Sequence, residues 1–180
     1  DMVTSPTGDA PMIPPSPWVV RHLPWVPTGG RVLDLACGRG RHARLAAGAG
    51  HPVLAVDRDV PALAAMDGVA GIAVRRLDLE GDNWPLAGES FAGIVVPNYL
   101  WRPRLADLCA LLAPGGVLIY ETFMAGNEAF GKPSNPDFLL RSGELRAVTA
   151  AAGLREIAFS EGYDPGPPPA MRQAICAVRD

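Results

Sequence analysis

The sequence predicts one α/β domain over residues 18–180, a mostly parallel sheet with helices on both faces, preceded by a flexible segment at 1–17. Three observations carry this expectation. Apolar strand-like runs alternate with helix-like runs, the pattern of βαβ units joined by right-handed crossovers. The first strand-like run ends in a carboxylate and passes through Cys37-Gly38-Arg39-Gly40 into a helix start. Two late runs, 154–160 and 173–179, flank a turn rich in proline (Pro165, Pro167, Pro168 and Pro169) and read as terminal strands.

Taken in order, residues 1–17 are rich in Pro, Ser, Thr and Gly and have little to bury. Strands are expected at 31–35, 52–56, 72–77, 91–96 and 116–120, and helices at 41–49, 60–66, 102–112 and 141–152. Gly48 and Gly50 close the first of these helices, Asp59 before Val60-Pro61 is suited to cap the second, and Pro114-Gly115-Gly116 marks the turn before the fifth strand. The connection from Asp78 to Ser90 leaves little room for a crossover helix. Residues 124–140 mix Gly, Asn, Pro and aromatics without periodicity. Most connections run about 4 to 6 residues, so a segment of this length reads as a lid over a substrate.

Length and composition bound the function. A chain of 180 residues can bury a core without disulfides, and a net charge of −3 with a single lysine, Lys132, gives no nucleic-acid footprint. Cys37, Cys109 and Cys176 are far apart and read as buried thiols in a reducing compartment; the paired Cys/His spacing of a zinc site is absent, so no metal is expected. No apolar run approaches the length of a membrane span, and the first residues lack a signal-peptide pattern. The expectation is a cytoplasmic protein, monomer or homodimer, acting on a small molecule.

In an open sheet of this kind ligands sit beyond the carboxyl ends of the strands. Gly38-x-Gly40-x-x-Ala43 fits the loose dinucleotide spacing, but a pyrophosphate is repelled by a carboxylate at Asp34, whereas a cationic ligand is attracted by it. The second strand ends in Val56-Asp57-Arg58-Asp59, and an ionised carboxylate there suits two ribose hydroxyls, accepting on both oxygens. Strand four runs into Asn98-Tyr99-Leu100-Trp101, and strand five ends Tyr120-Glu121-Thr122-Phe123. An aromatic face attracts a cation by roughly 0.5–2 kcal/mol, so Tyr99 suits a cationic ligand as well as ordinary packing; for Trp101 packing is the better reading.

Asp34-x-x-Cys37-Gly38-x-Gly40 resembles the first motif of the class I S-adenosylmethionine-dependent methyltransferases, and the chain from about residue 16 onward is similar to a group of small bacterial members distantly like the tellurite-resistance methyltransferases. The resemblance implies a Rossmann-like fold closed by a C-terminal antiparallel hairpin, an S-adenosylmethionine cofactor and methyl transfer to an acceptor. It implies cofactor contacts at Asp34, Ala36, Cys37, Gly38, Gly40, Asp57, Arg58, Asp78, Leu79 and Asn98. Within that set Asp34 serves the amino acid end, Asp57 the ribose, and Asp78 with Leu79 the adenine. Strand four faces the transferred methyl, which makes Asn98, Tyr99 and Glu121 the candidate catalytic residues; Asn98-Tyr99 lacks the two intervening prolines of the amino-group methyltransferase motif, so amine specificity does not carry over. Glu121 is the first choice for accepting a proton, with partnership to an arginine the alternative, and Tyr99 and His42 follow it.

Two other readings compete. An NAD(P)-linked oxidoreductase is disfavoured by Asp34 and by the lack of a Tyr-x-x-x-Lys pair, the one lysine lying in the 124–140 segment. A protein that binds S-adenosylmethionine without catalysis keeps the same cofactor residues.

Overall fold

The computed structural model describes residues 13–180. Most of the segment expected to be flexible, residues 1–12, lies outside the described residues. The last part of that segment is fixed: Ser16 is buried and its hydroxyl caps the helix α1 (Pro17–His22) by accepting from the Val19 amide, with Pro17 at the first helical position. The ordered domain therefore begins before residue 18, because a buried serine and a proline-started helix anchor the chain there.

Seven strands form one sheet in the order β3-β2-β1-β4-β5-β7-β6. β1 (Val32–Leu35), β2 (Val53–Asp57), β3 (Ile72–Arg76), β4 (Phe91–Pro97) and β5 (Leu112–Phe123) run parallel. β7 (Ala170–Val178) is antiparallel to β5 and to β6 (Arg155–Asp164), which occupies the edge. The α/β class, the parallel body and the antiparallel closing pair expected from the sequence are all present.

Successive strand residues serve opposite faces, so the alternation sorts the core into two layers. Leu33, Leu54, Ile94, Leu118 and Ile175 pack on one face with α4 (Leu105–Ala110) and α5 (Glu144–Ala151). Val32, Val53, Val95, Ile119 and Cys176 pack on the other with α1, α2 (Arg41–Gly48) and α3 (Val60–Ala64). Asp59 caps α3, its Oδ1 accepting from the Ala62 amide at 3.2 Å, as its place before Val60-Pro61 indicates. All three cysteines are buried and free. No helix among the described residues is long and apolar enough to cross a membrane.

Three differences from the sequence expectation have local causes. The helix expected at 102–112 is a 3₁₀ turn, Arg102–Arg104, followed by the shorter α4, with Pro103 seated in that turn. β5 begins at Leu112 rather than 116, because Leu112 pairs with Phe91 and a register shift then absorbs Pro114-Gly115-Gly116 before Val117 meets Gly93. Residues 124–140 are not structureless. They contain 3₁₀ turns at Asn127–Ala129 and Pro136–Phe138, and Met124 pairs with Leu140.

Candidate active site

Strand order reverses between β1 and β4, and the chain leaves both strands through non-glycine residues in the left-handed region, Ala36 at φ 54° and Asn98 at φ 51°. Backbone strain of this kind gathers at functional sites. Beside it, Asp34 on β1 is buried, and neither of its oxygens makes a well-formed hydrogen bond among the described residues, although the Ala43 amide lies close enough to act on it. Burial raises its carboxyl to about 7, against the lowering influence of the Ala43 amide and the Arg41 charge.

The glycine turn is held by three backbone amides. Gly40 donates to the Cys37 carbonyl at 3.0 Å, Cys37 to the Val56 carbonyl at 3.0 Å, and Gly38 to Oδ2 of Asp57 at 2.9 Å. The two glycines differ in what surrounds them. Gly40, at φ 90° before α2, lies where a Cβ would run into the sulfur of buried Met66, whereas the space beside Gly38 is open. Packing thus gives Gly40 a reason to be glycine that is independent of any ligand. Cys37 packs its thiol into the core, and burial, followed by the Asp34 charge, pushes that thiol well above its usual range.

A cavity of about 160 Å³ opens beyond β1, β2 and β3, lined by Ala36, Asp57, Arg58, Leu77, Asp78, Leu79, Glu80 and Tyr99. It brings together five of the sequence-selected cofactor residues; Asp34, Cys37, Gly38 and Gly40 form the adjoining turn and do not line it. Each oxygen of Asp57 already takes one amide, Gly38 on Oδ2 and Asp59 on Oδ1, and retains a second lone pair. Asp78 is exposed and turns its Oδ1 onto the Glu80 amide at 2.9 Å, while Leu79 is buried. Arg58 is exposed and stands 3.8 Å from Glu80. The Tyr99 hydroxyl is buried without a partner, and burial, then the nearby Glu80, raises its pKa.

A larger cavity of about 610 Å³ lies beyond β4, β5 and β7, and its wall includes Asn98, Glu121, Phe123, Arg41 and Arg172. Nη2 of Arg172 donates to Oδ1 of Asn98 at 2.7 Å and to Oε1 of Glu121 at 2.9 Å, with the guanidinium laid over the Phe123 ring at 4.7 Å. Ser16 closes the other side, its hydroxyl donating to the same Oε1 at 3.0 Å and its amide to Nε2 of His42 at 3.0 Å. Burial, then the Arg41 charge, lowers His42 to about 4, so at neutral pH its ring accepts rather than carries a charge. Of the three candidate catalytic residues, Asn98 and Glu121 face this cavity and Tyr99 the smaller one.

Arg172 and Ser16 escaped the sequence reading. Arg172 lay one residue before the run read as the last strand, and Ser16 fell in the segment taken as loose. The 124–140 segment borders the larger cavity through Phe130 and Lys132 and is anchored at both ends. Buried Asn127 donates to the Pro133 carbonyl and accepts from the Met171 amide, while Arg102 donates to the carbonyls of Pro136, Asp137 and Leu139 and pairs with Glu144.

Residues 32–116 match the family model described as a methyltransferase domain. No curated protein matches the sequence. Among solved structures the chain is similar to TehB from Haemophilus influenzae (TM-score 0.72, 17% identity), covering 91% of this chain but only 61% of that one. It is similar also to a TehB-like SAM-dependent methyltransferase from Corynebacterium glutamicum (TM-score 0.66, 21% identity, 91% of this chain and 88% of that one). A third is magnesium protoporphyrin IX methyltransferase from Synechocystis PCC 6803, solved with bound SAH (TM-score 0.67, 16% identity, 91% of this chain and 79% of that one). Residues 32–116 thus match a methyltransferase domain, and the sheet built around them has the fold of S-adenosylmethionine-dependent methyltransferases of known structure.

Proposed function

We propose that the chain transfers a methyl group from S-adenosylmethionine to a small-molecule acceptor, with the cofactor across the ends of β1, β2 and β3 and the acceptor in the larger cavity. The observation that carries this reading is Asp34, a buried carboxylate with no well-formed hydrogen bond and no ion pair among the described residues, next to an open glycine turn. A carboxylate in that state fits a ligand that brings a positive charge. An ammonium group beside it favours the ionised form, and the open side of Gly38 admits a ligand close to the backbone. Asp57 offers its remaining lone pairs to two hydroxyls, while Asp78 and Leu79 supply an acceptor and an apolar wall for a base. Ala36, Cys37, Gly40, Arg58 and Asn98 complete the proposed cofactor set, Cys37 and Gly40 through the backbone turn.

When bound, the sulfonium supplies an activated methyl group for in-line displacement, so the protein has chiefly to align the acceptor and exclude water. Asn98, Tyr99 and Glu121 are placed to do this. Arg172 and Ser16 both donate to Oε1 of Glu121, which leaves Oε2 to accept a proton from an acceptor that carries one. Tyr99 adds an aromatic face to the smaller cavity.

Calorimetry with S-adenosylhomocysteine (SAH) and with NAD tests the cofactor, and transfer of labelled methyl to a metabolite extract tests catalysis. SAH is expected to bind and NAD to bind weakly or not at all. Tighter binding of NAD overturns the reading, and SAH binding without any labelled product leaves a protein that binds the cofactor without catalysis.

A further inference from the structure

We infer that the acceptor is an organic anion, its acid group taken by Arg41 and Arg172 and its apolar body set against Phe123 and Phe130. The inference rests on the methyl-transfer reading above and names the substrate class of that same site.

Arg41 begins α2 and Arg172 lies on the last strand, yet both open on the 610 Å³ cavity. Their like charges oppose each other: after burial, Arg172 is the strongest influence lowering Arg41. Two guanidiniums facing one enclosed space are stabilised by an anion between them. The protein supplies only part of that negative charge. Among the described residues the wall carries three cations (Arg41, Lys132 and Arg172) and two carboxylates (Glu121 and Asp164), which leaves one positive charge over. A monoanion balances it, and a cationic amine worsens it.

Donor geometry points the same way. Arg172 spends Nη2 on Asn98 and Glu121, and Arg41 spends Nη1 on the Pro14 carbonyl at 2.9 Å. The other hydrogens of both guanidiniums have no protein acceptor among the described residues. Since Oδ1 of Asn98 is held by Arg172, its amide NH₂, without a protein acceptor among the described residues, is a further donor available to an anionic oxygen. Apolar surface flanks these donors: Phe123 lies under Arg172, and Phe130, half exposed, stacks on Tyr163 at 5.5 Å. Pro167, Pro168 and Pro169 continue that wall. An inorganic oxyanion satisfies the arginines but leaves these rings uncovered.

The test is calorimetry on the full chain saturated with SAH, titrating benzoate, 3-phenylpropionate and 1-naphthoate, their neutral amides, and sulfate. At least one carboxylate is expected to bind about tenfold or more tighter than its amide and than sulfate. Arg41→Gln and Arg172→Gln should each weaken it by about tenfold while still binding SAH, which shows that both variants fold. Carboxylates that bind no better than their amides overturn the inference and leave the cofactor reading standing. Sulfate binding as tightly as the carboxylates overturns it in favour of an inorganic anion. Failure of the wild-type chain to bind SAH removes both readings together.

Discussion

The amide of Gly38 donates to Oδ2 of Asp57 at 2.9 Å, tying the turn after β1 to the end of β2. One carboxylate thus shapes the turn and, in the proposed role, receives the ribose. Asp57→Ala is expected to weaken SAH binding by about 1.5–3 kcal/mol and to lower stability by roughly 1–2 kcal/mol through the lost Gly38 and Asp59 bonds. Calorimetry and urea unfolding separate the two effects, and unchanged SAH affinity in the folded variant removes Asp57 from the site.

Asp34 links stability and ligand binding to pH. Its folded value, about 7, lies above the ordinary 3.8, so the folded chain keeps a proton that the unfolded chain releases. Stability contributed by the neutral acid is therefore present below pH 3.8 and declines as pH rises through 7. Replacement by Asn removes that slope, and the variant's advantage in urea unfolding should grow by about 2–4 kcal/mol between pH 4 and pH 8. His42, lowered to about 4, contributes the opposite slope below its ordinary 6.5, but in both proteins alike, so it cancels in the difference. SAH brings an ammonium group, and its binding at pH 6 should release close to one proton, seen as a calorimetric enthalpy that varies with buffer; no proton release would separate Asp34 from the ligand.

Gly40 and Gly38 should fail in different ways. Gly40→Ala forces a Cβ against Met66 at φ 90° and is expected to cost about 2–4 kcal/mol of stability, and less when the same change is made in a Met66→Ala background. Gly38→Ala meets no protein atom, so its stability cost should be limited to the roughly 1 kcal/mol of a side chain at φ 53°, with a further loss in SAH affinity. Equal stability losses in the two single variants would contradict this division.

Hydrogen exchange should divide the 124–140 segment. The amides of Asn127 and Leu140, bonded to Met124 and Phe123 carbonyls, are expected to exchange slowly without ligand, whereas the exposed residues between Gly131 and Asp137 exchange fast. Asn127→Ala, which removes two bonds from a buried side chain, should cost about 2–3 kcal/mol. Uniformly fast exchange would restore the picture of a lid open along its whole length.

The first βα unit was legible because its determinants are adjacent: Asp34, Gly38 and Gly40 announce strand, turn and helix within seven residues. Asp57 and Asp78 were legible for a related reason, since a carboxylate ending a strand lies on the ligand side of a parallel sheet wherever the strand sits. Partners distant in sequence were not. Nothing near Glu121 announces that Arg172 and Ser16, 51 and 105 positions away, will share its Oε1. Gly40 illustrates a half-legible case: the pattern asks for glycine, but only folding shows that Met66 excludes a side chain there. The 124–140 segment read as a loose lid because its anchors, Arg102 and the Met171 amide, belong to other elements.

The placement of β7 between β5 and β6 imposes an order of assembly. β6 is made first in the chain but pairs only with β7, so it has no place on the sheet until the later strand has docked against β5. Such long-range pairing is the slow kind of contact to form. Arg172 rides on that same strand, so the wall of the larger cavity closes only once β7 has docked, and the proposed competence to hold an acceptor should appear in a late phase of refolding rather than with the first collapse.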